Sequence, residues 1–234
     1  MKSAIMQPYF LPYIGYWQLI NCVDEFIVYD NIEYTKKGWI NRNRYLFNNE
    51  DKLFTIPLKK SSDFELIENK FLADDHLKSI TKLLRQIESS YKKAPYFEEN
   101  YELIKSIFLF ENNNLFEYIY NSIKLIVEFL EIKTKIIRSS TLSSDLPDYK
   151  GRDKIIHLLE KINSNSYINS IGGQKLYSKE RFAKDGITLN FLESTLQEYK
   201  QYNTEFVSGL SIIDHLMFRS KEEIINSLNE YKII

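Results

Sequence analysis

The sequence predicts an α/β protein: a mostly parallel, Rossmann-like sheet flanked by helices, with a helical segment in the middle of the chain. Three observations predict it. Thr134 to Phe191 alternates strand, helix, strand, helix, strand, the order that parallel strands need because their crossovers run through helices. Residues 3–29 repeat the strand–helix–strand order. Between these two stretches, apolar residues recur at helical spacing. With 234 residues, 44% of them hydrophobic, the chain can bury a sizeable core. It reads as a single domain, 1–234, with a mainly helical insertion at about 76–131.

The elements follow in order. Ser3 to Met6 is a short apolar run stopped by Gln7-Pro8, a buried first strand. Tyr13 to Val23 carries Ile14, Trp17, Leu19 and Ile20 at helical spacing. Glu25 to Tyr29 is β-branched and aromatic, a second strand. A loop runs from Asp30 through Asn43. Leu53 to Leu58 reads as a third strand, and Pro57 places it at an edge or near a strand end. Ser61 to Lys70 reads as loop and then a short strand. His76 to Ser90 is a helix on the face Leu77, Ile80, Leu83, Leu84 and Ile87. Ala94-Pro95 interrupts it. Tyr101 to Leu130 is helical, with Asn112 to Asn114 as a break or cap. Thr134 to Arg138 is a strand, Arg152 to Ile162 a helix, and Ser166 to Asn169 a strand. Lys179 to Lys184 is a short helix and Ile187 to Phe191 a further strand.

Composition narrows the function classes. The formal charge is −1, from 31 basic and 32 acidic residues. No global basic field draws the protein onto DNA or an anionic membrane. A single cysteine, Cys22, excludes an intramolecular disulfide, and with only His76, His157 and His215 beside it no Cys-based zinc site is expected. The apolar start resembles a signal peptide superficially. Gln7, Pro8, Tyr9, Pro12, Tyr13 and Gly15 break it, and no stretch approaches the ~18 apolar residues of a membrane span. A cytoplasmic protein without membrane insertion is expected, its oligomeric state open. Tyrosine is abundant, with 17 residues. Its apolar body and polar tip suit half-wet pockets, although the excess of Lys, Ile and Asn equally fits a coding bias toward A and T.

In parallel sheets, ligands bind at the carboxyl ends of the strands. Here those ends are Gln7–Tyr16, Asp30–Asn43, Ser139–Gly151 and Ser170–Tyr177. In the first, two prolines stiffen a loop that enters a helix at Gly15, where backbone amides favour an anion. Tyr9, Tyr13 and Tyr16 there either stack on a ligand or plug the top of the sheet. In the second, Asp30 directly follows a buried strand, a place for a catalytic carboxylate. Lys36, Lys37, Arg42 and Arg44 alternate with Tyr34, Trp39, Asn41 and Asn43, either a phosphate- or carboxylate-reading loop or a solvated basic hairpin. In the third, Ser139, Ser140 and Asp145 hold phosphate or cap the next helix, and no histidine is placed by sequence to activate a serine. In the fourth, Gly172-Gly173 wraps a phosphate or makes an ordinary turn. Without G-x-G-x-x-G or a Walker pattern, dinucleotide and P-loop binding are unsupported. Farther on, Ser211 caps a helix. Asp214 either completes a capping box or, like His215, reaches the pocket as acid or base.

Four strings, IMQPYFLPYIGYWQLI, DEFIVYDNIEYTKKGWINRNR, SYINSIGGQKLY and YKQYNTEFVSGLSIIDHL, run in order along almost the whole chain and together resemble the WbqC-like family. The resemblance implies a bacterial protein linked to O-antigen or other surface-polysaccharide gene sets. It further implies transfer of a small acyl or aminoacyl group, such as glycine, onto an amino-sugar precursor, and hence an activated donor. The motif positions are Gln7, Tyr9, Pro12, Gly15, Tyr16, Asp30, Lys37, Trp39, Asn41, Arg42, Gly172, Gly173, Tyr177, Gln201, Ser211 and Asp214. Asn169, Ile171 and His215 depart from the family pattern. The expected roles are Asp30 or Asp214 as general base, Lys37, Arg42 and the Gly15 helix start as holders of phosphate or a donor carboxylate, and Tyr9, Tyr16 and Trp39 as stacking rings. The expected ligand is a nucleotide-linked sugar or another small anion. The opening layout is also similar to class I nucleotidyltransferases, but Tyr13-Ile14-Gly15-Tyr16 lacks their paired histidines. An NTP-using enzyme and a non-catalytic glycan-precursor binding protein are the rival readings.

Overall fold

A computed structural model describes residues 1–62, 64–203 and 205–234. Its main sheet has six strands: β1 (Lys2–Met6), β2 (Glu25–Val28), β5 (Lys135–Arg138), β6 (Ser166–Ser170), β7 (Thr188–Ser194) and β8 (Tyr231–Ile233), in the spatial order β5-β2-β1-β6-β7-β8. Every neighbouring pair is parallel except β7 with β8. The fold class is therefore the one the alternation predicts. The chain leaves β1 toward β2 on one side, and leaves β6 toward β7 on the other. The carboxyl ends of β1 and β6 thus flank the topological switch point, where the loops diverge and leave a crevice.

Successive strand residues point to opposite faces, and each face is buried. Ala4, Phe26, Val28, Ile168 and Leu192 enter one apolar cluster. Their neighbours Ile5, Ile27, Tyr167, Leu189 and Phe191 enter the other. Helix α1 (Ile14–Asn21) shares the first cluster with α2 (His76–Tyr91), α3 (Phe97–Phe108), α4 (Leu115–Phe129) and α8 (Ile212–Phe218). Helices α6 (Arg152–Lys161) and α7 (Lys179–Ala183) cover the second, and the one-turn α5 (Ser139–Leu142) and α9 (Lys221–Ser227) complete the set. Local chemistry places the ends: Asn114 accepts from Glu117 N at the start of α4, and Ser220 with Glu223 forms a capping box on α9.

Strand β3 (Arg42–Phe47) pairs antiparallel with β4 (Glu50–Thr55) in a separate hairpin. Its turn uses Asn48 and Asn49 at φ 51° and 64°, the left-handed pair that hairpin turns favour. The expected loop through Asn43 and strand over Leu53–Leu58 are corrected here. β3 begins at Arg42, and β4 ends before Ile56-Pro57 because the hairpin register exhausts it. Ser61 to Lys70 holds a 3-10 turn, Ile67–Asn69, and no strand among its described residues; Asp63 lies outside the described residues. β8, α9 and the one-turn α5 have no counterpart among the elements read from the sequence.

Candidate functional site

The loop after β1 is built before any ligand is considered. Leu11 is wholly buried and sits at φ 45°, a left-handed conformation that costs a branched residue energy unless its surroundings impose it. They do. Its carbonyl accepts from Asn43 Nδ2 at 2.8 Å and from Ser211 Oγ at 2.6 Å. Pro12 O accepts from Trp17 Nε1 at 3.0 Å, and Phe10 N donates to Ile40 O at 3.1 Å. Residues from β3, α1 and the start of α8 thus fix one backbone path, and that path presents Tyr9 and Tyr13.

Two concavities lie on this rim. The larger, about 480 Å³, is the switch-point crevice. Gln7 and Tyr9 from the first loop, Tyr29 after β2, and Tyr167 and Asn169 of β6 line it, with Gly172, Gly173 and Tyr177 from the fourth loop and Lys154 from the first turn of α6. The smaller, about 230 Å³, has Tyr9, Tyr13, Trp39, Asn43, Arg44 and Gly209 in its walls. Arg44 lies 5.4 Å over the Trp39 ring, which is 39% exposed, a cation–π stack that leaves an aromatic face open. Tyr9 lines both spaces, so they adjoin there.

The electrostatics of the larger cleft are one-sided. Burial raises the phenol pKa values of Tyr29, Tyr167 and Tyr177, so all three stay protonated and able to donate. None has a hydrogen-bond partner for its hydroxyl among the described residues. Burial lowers the Lys154 ammonium from its usual value, and Glu33 opposes that shift.

The residues singled out by sequence divide into liners and braces. Gln7, Tyr9, Tyr13, Trp39, Gly172, Gly173 and Tyr177 line one cavity or both. Most of the others brace the surrounding backbone. Tyr16 is buried and donates to Gln7 O at 2.9 Å, with its ring 5.5 Å from that of Tyr9. Arg42 Nε donates to Gly38 O at 2.7 Å, its terminal nitrogen to Lys37 O, and it lies 5.8 Å over Trp39. Its cation therefore folds the Trp39 loop instead of facing either cavity, and Lys37 is exposed beside it at φ 62°. Asn41 donates to Ile56 O at 2.7 Å and accepts from Tyr34 at 2.8 Å. Tyr34 and Asn41 edge a different groove with Lys36, Lys60 and Lys70.

Gly15 does not open its helix to an anion. A Cβ there would stand 2.5 Å from Tyr13 Cε2, so the missing side chain makes room for the Tyr13 ring. Gly172 and Gly173, read from sequence as either a phosphate wrap or an ordinary turn, lie in a 3-10 turn, Ile171–Lys175. Only Gly173 is hemmed in, with Asn169 Nδ2 2.6 Å from a Cβ position that Gly172 leaves free.

Both carboxylates expected as bases line neither cavity. Asp30 Oδ1 accepts from Ser139 Oγ and Ser140 N, each at 2.8 Å, and from Asn31 N at 3.0 Å, while Oδ2 accepts from Ser140 Oγ at 2.5 Å. It ties the end of β2 to the end of β5. Asp214 is fully buried and accepts from Tyr91 at 2.9 Å, Tyr199 at 2.5 Å and Gln201 at 2.7 Å. The expected capping box is corrected: Ser211 does cap α8, but the Asp214 carboxylate turns inward to these three donors. Desolvation raises Asp214 to about 6 despite them. Burial, with Arg219 adding to it, lowers the neighbouring His215 to about 3, so it is neutral at pH 7.

Sequence reasoning did not single out Tyr29, Lys154 and Tyr167. A Ser–His contact also went unforeseen: His157 Nε2 is 2.9 Å from Ser143 Oγ and 3.6 Å from Asp145 Oδ1. Serine and carboxylate meet the same ring nitrogen, so the carboxylate does not orient the ring for a proton relay. Among the described residues no group of three His, Cys, Asp or Glu side chains could hold a metal ion, and no helix is long and apolar enough to cross a membrane.

The model of the WbqC-like protein family matches residues 7–226. Uncharacterized protein Rv1507c of Mycobacterium tuberculosis is 28% identical over 219 residues, covering 92% of each chain. No solved structure matches.

Proposed function

The chain belongs to the WbqC-like protein family, and from that premise we propose a transferase that adds a small acyl or aminoacyl group, such as glycine, to a nucleotide-linked amino sugar. The reaction would sit in the cytoplasm, within surface-polysaccharide biosynthesis, and would draw on an activated donor. One observation carries the reading. An aromatic cavity and a donor-rich cleft adjoin at Tyr9 on the carboxyl rim of a parallel sheet. A nucleotide sugar needs both kinds of surface: rings against its base or sugar, and donors toward its phosphates and hydroxyls.

Transfer to an amine forms one C–N bond, breaks the bond from acyl carbon to the donor's leaving group, and releases one proton. The expected test is a thermal-shift screen of UDP- and dTDP-amino sugars followed by mass spectrometry. The acceptor should stabilise the protein, and its mass should rise by the acyl increment only with a competent donor. No shift across the panel would overturn the reading.

A second reading, a non-catalytic precursor-binding protein, draws support from the two carboxylates. Asp30 and Asp214 are both taken by protein donors outside the cavities. Stabilisation by the sugar nucleotide without any mass increment would favour it. Pyrophosphate release from an NTP with magnesium would instead mark a nucleotidyltransferase.

A further inference from the structure

We propose that the switch-point cleft is an oxyanion subsite in which Lys154, assisted by the hydroxyls of Tyr29, Tyr167 and Tyr177, takes the diphosphate of the nucleotide-linked substrate. The inference rests on the transferase reading for the identity of the ligand and on the cleft alone for its chemistry.

Three observations lead to it. First, the lining carries a single charge, and it is positive. Lys154 is its one charged residue, and among the described residues no Asp or Glu lines the space. Lys154 makes no hydrogen bond or ion pair with any described residue. The Glu33 carboxylate acts on Lys154 from outside the lining, and with no acid in the lining itself the cleft's charge favours an anionic guest. Second, Tyr167 is 1% exposed and lines the cleft, yet its hydroxyl has no described partner. The ring is buried while the hydroxyl opens to the cleft, where a guest oxygen would accept from it. Third, Lys154 sits in the first turn of the ten-residue helix α6, which begins at Gly151 with no side chain to cap it. Gly151 and Lys154 both line the cleft, so the dipole adds to the charge.

The geometry also says why phosphate is assigned here. Arg42 is spent on the Gly38 and Lys37 carbonyls, and the Gly15 helix start is covered by Tyr13. The cleft's volume of about 480 Å³ admits a diphosphate with part of its sugar. The base or sugar beyond would pass Tyr9 toward Trp39.

The test is calorimetric titration of the full chain with inorganic pyrophosphate, UDP and, as carboxylate probes, acetate and glycine. Pyrophosphate and UDP are expected to bind, and more weakly as salt rises. Lys154→Met is expected to lose about ten-fold or more in affinity, the scale of one hydrogen bond to a charged group. Lys154→Arg should recover part of it, and Tyr177→Phe should lose about three-fold or more, the scale of a neutral hydrogen bond. Circular dichroism checks that each variant is folded; if Lys154→Met is not, Tyr177→Phe and Lys154→Arg decide. Unchanged pyrophosphate affinity in the folded variants, no binding by wild type, or acetate and glycine competing as well as pyrophosphate would each overturn the subsite. Lys154-dependent pyrophosphate binding without acyl transfer would sink the transferase reading and leave the subsite standing. Acyl transfer with an unchanged KM in Lys154→Met would do the reverse.

Discussion

The Tyr91 hydroxyl donates to Asp214 Oδ1 at 2.9 Å while accepting from Leu46 N at 2.8 Å. One phenol at the end of α2 therefore joins β3 to α8. The carboxylate it meets is costly to ionise, because burial outweighs the three hydrogen bonds it receives. A carboxyl whose folded pKa is raised, here from 3.8 to about 6, favours the folded state when protonated. That contribution is complete below about pH 4 and is lost as pH rises through 6. The stability difference between wild type and Asp214→Asn should therefore change by about 3 kcal/mol over this window and stay flat above pH 7. Urea unfolding at several pH values measures it. A difference independent of pH would mean that Asp214 titrates normally.

Asp30 gives a contrasting expectation. Its Oδ1 alone receives three donors, and Asn retains that oxygen. Asp30→Asn should cost under about 1.5 kcal/mol, whereas Asp30→Ala strands several buried donors and should cost about 3 kcal/mol or more. Chemical denaturation of both variants separates them. Equal losses would show that the charge, not the bonds, holds β2 to β5.

The glycine pair separates as well. Gly172→Ala meets nothing within 4 Å, while Gly173→Ala would press on Asn169 Nδ2 at 2.6 Å. Gly172→Ala is expected to leave stability within about 0.5 kcal/mol. Gly173→Ala should cost about 1–3 kcal/mol and disturb the cleft wall. Thermal melts, with and without a stabilising sugar nucleotide, read both effects.

Trp39 is exposed and packs on two arginines, Arg42 and Arg44. Trp39→Ala should leave the melting point near wild type. If the ring stacks on a base, sugar-nucleotide affinity should fall by about ten-fold or more, since such a stack contributes ~1–3 kcal/mol. An unchanged affinity would remove Trp39 from the binding surface.

Much of the architecture was legible in the sequence, because it rests on periodicity. α2 buries Ile80, Leu83, Leu84, Ile87 and Tyr91, and this spacing admits no reading but a helix. β3 was illegible because its inward position 43 is an asparagine, buried to hold the Phe10 and Leu11 carbonyls. Polar-in alternation beside arginines looks like a basic loop. At the site, the motif residues led to the right rim, yet many of them act on backbone. Ser211, Gln201, Asn41 and Tyr16 hold shape, and no local pattern distinguishes a brace from a contact. Tyr29 and Tyr167 were hidden at strand positions, where an aromatic signals core. Lys154 was hidden on an amphipathic helix, where a lysine usually signals solvent.

The bond from Ser211 to the Leu11 carbonyl spans 200 residues. During synthesis the first loop leaves the ribosome long before its anchor exists. The mouth of the protein therefore takes its working shape only once residue 211 has emerged, after the sheet's parallel strands. A nascent chain halted before residue 211 would carry Tyr9 and Tyr13 on an untethered segment, which makes ligand capture a report on completed assembly.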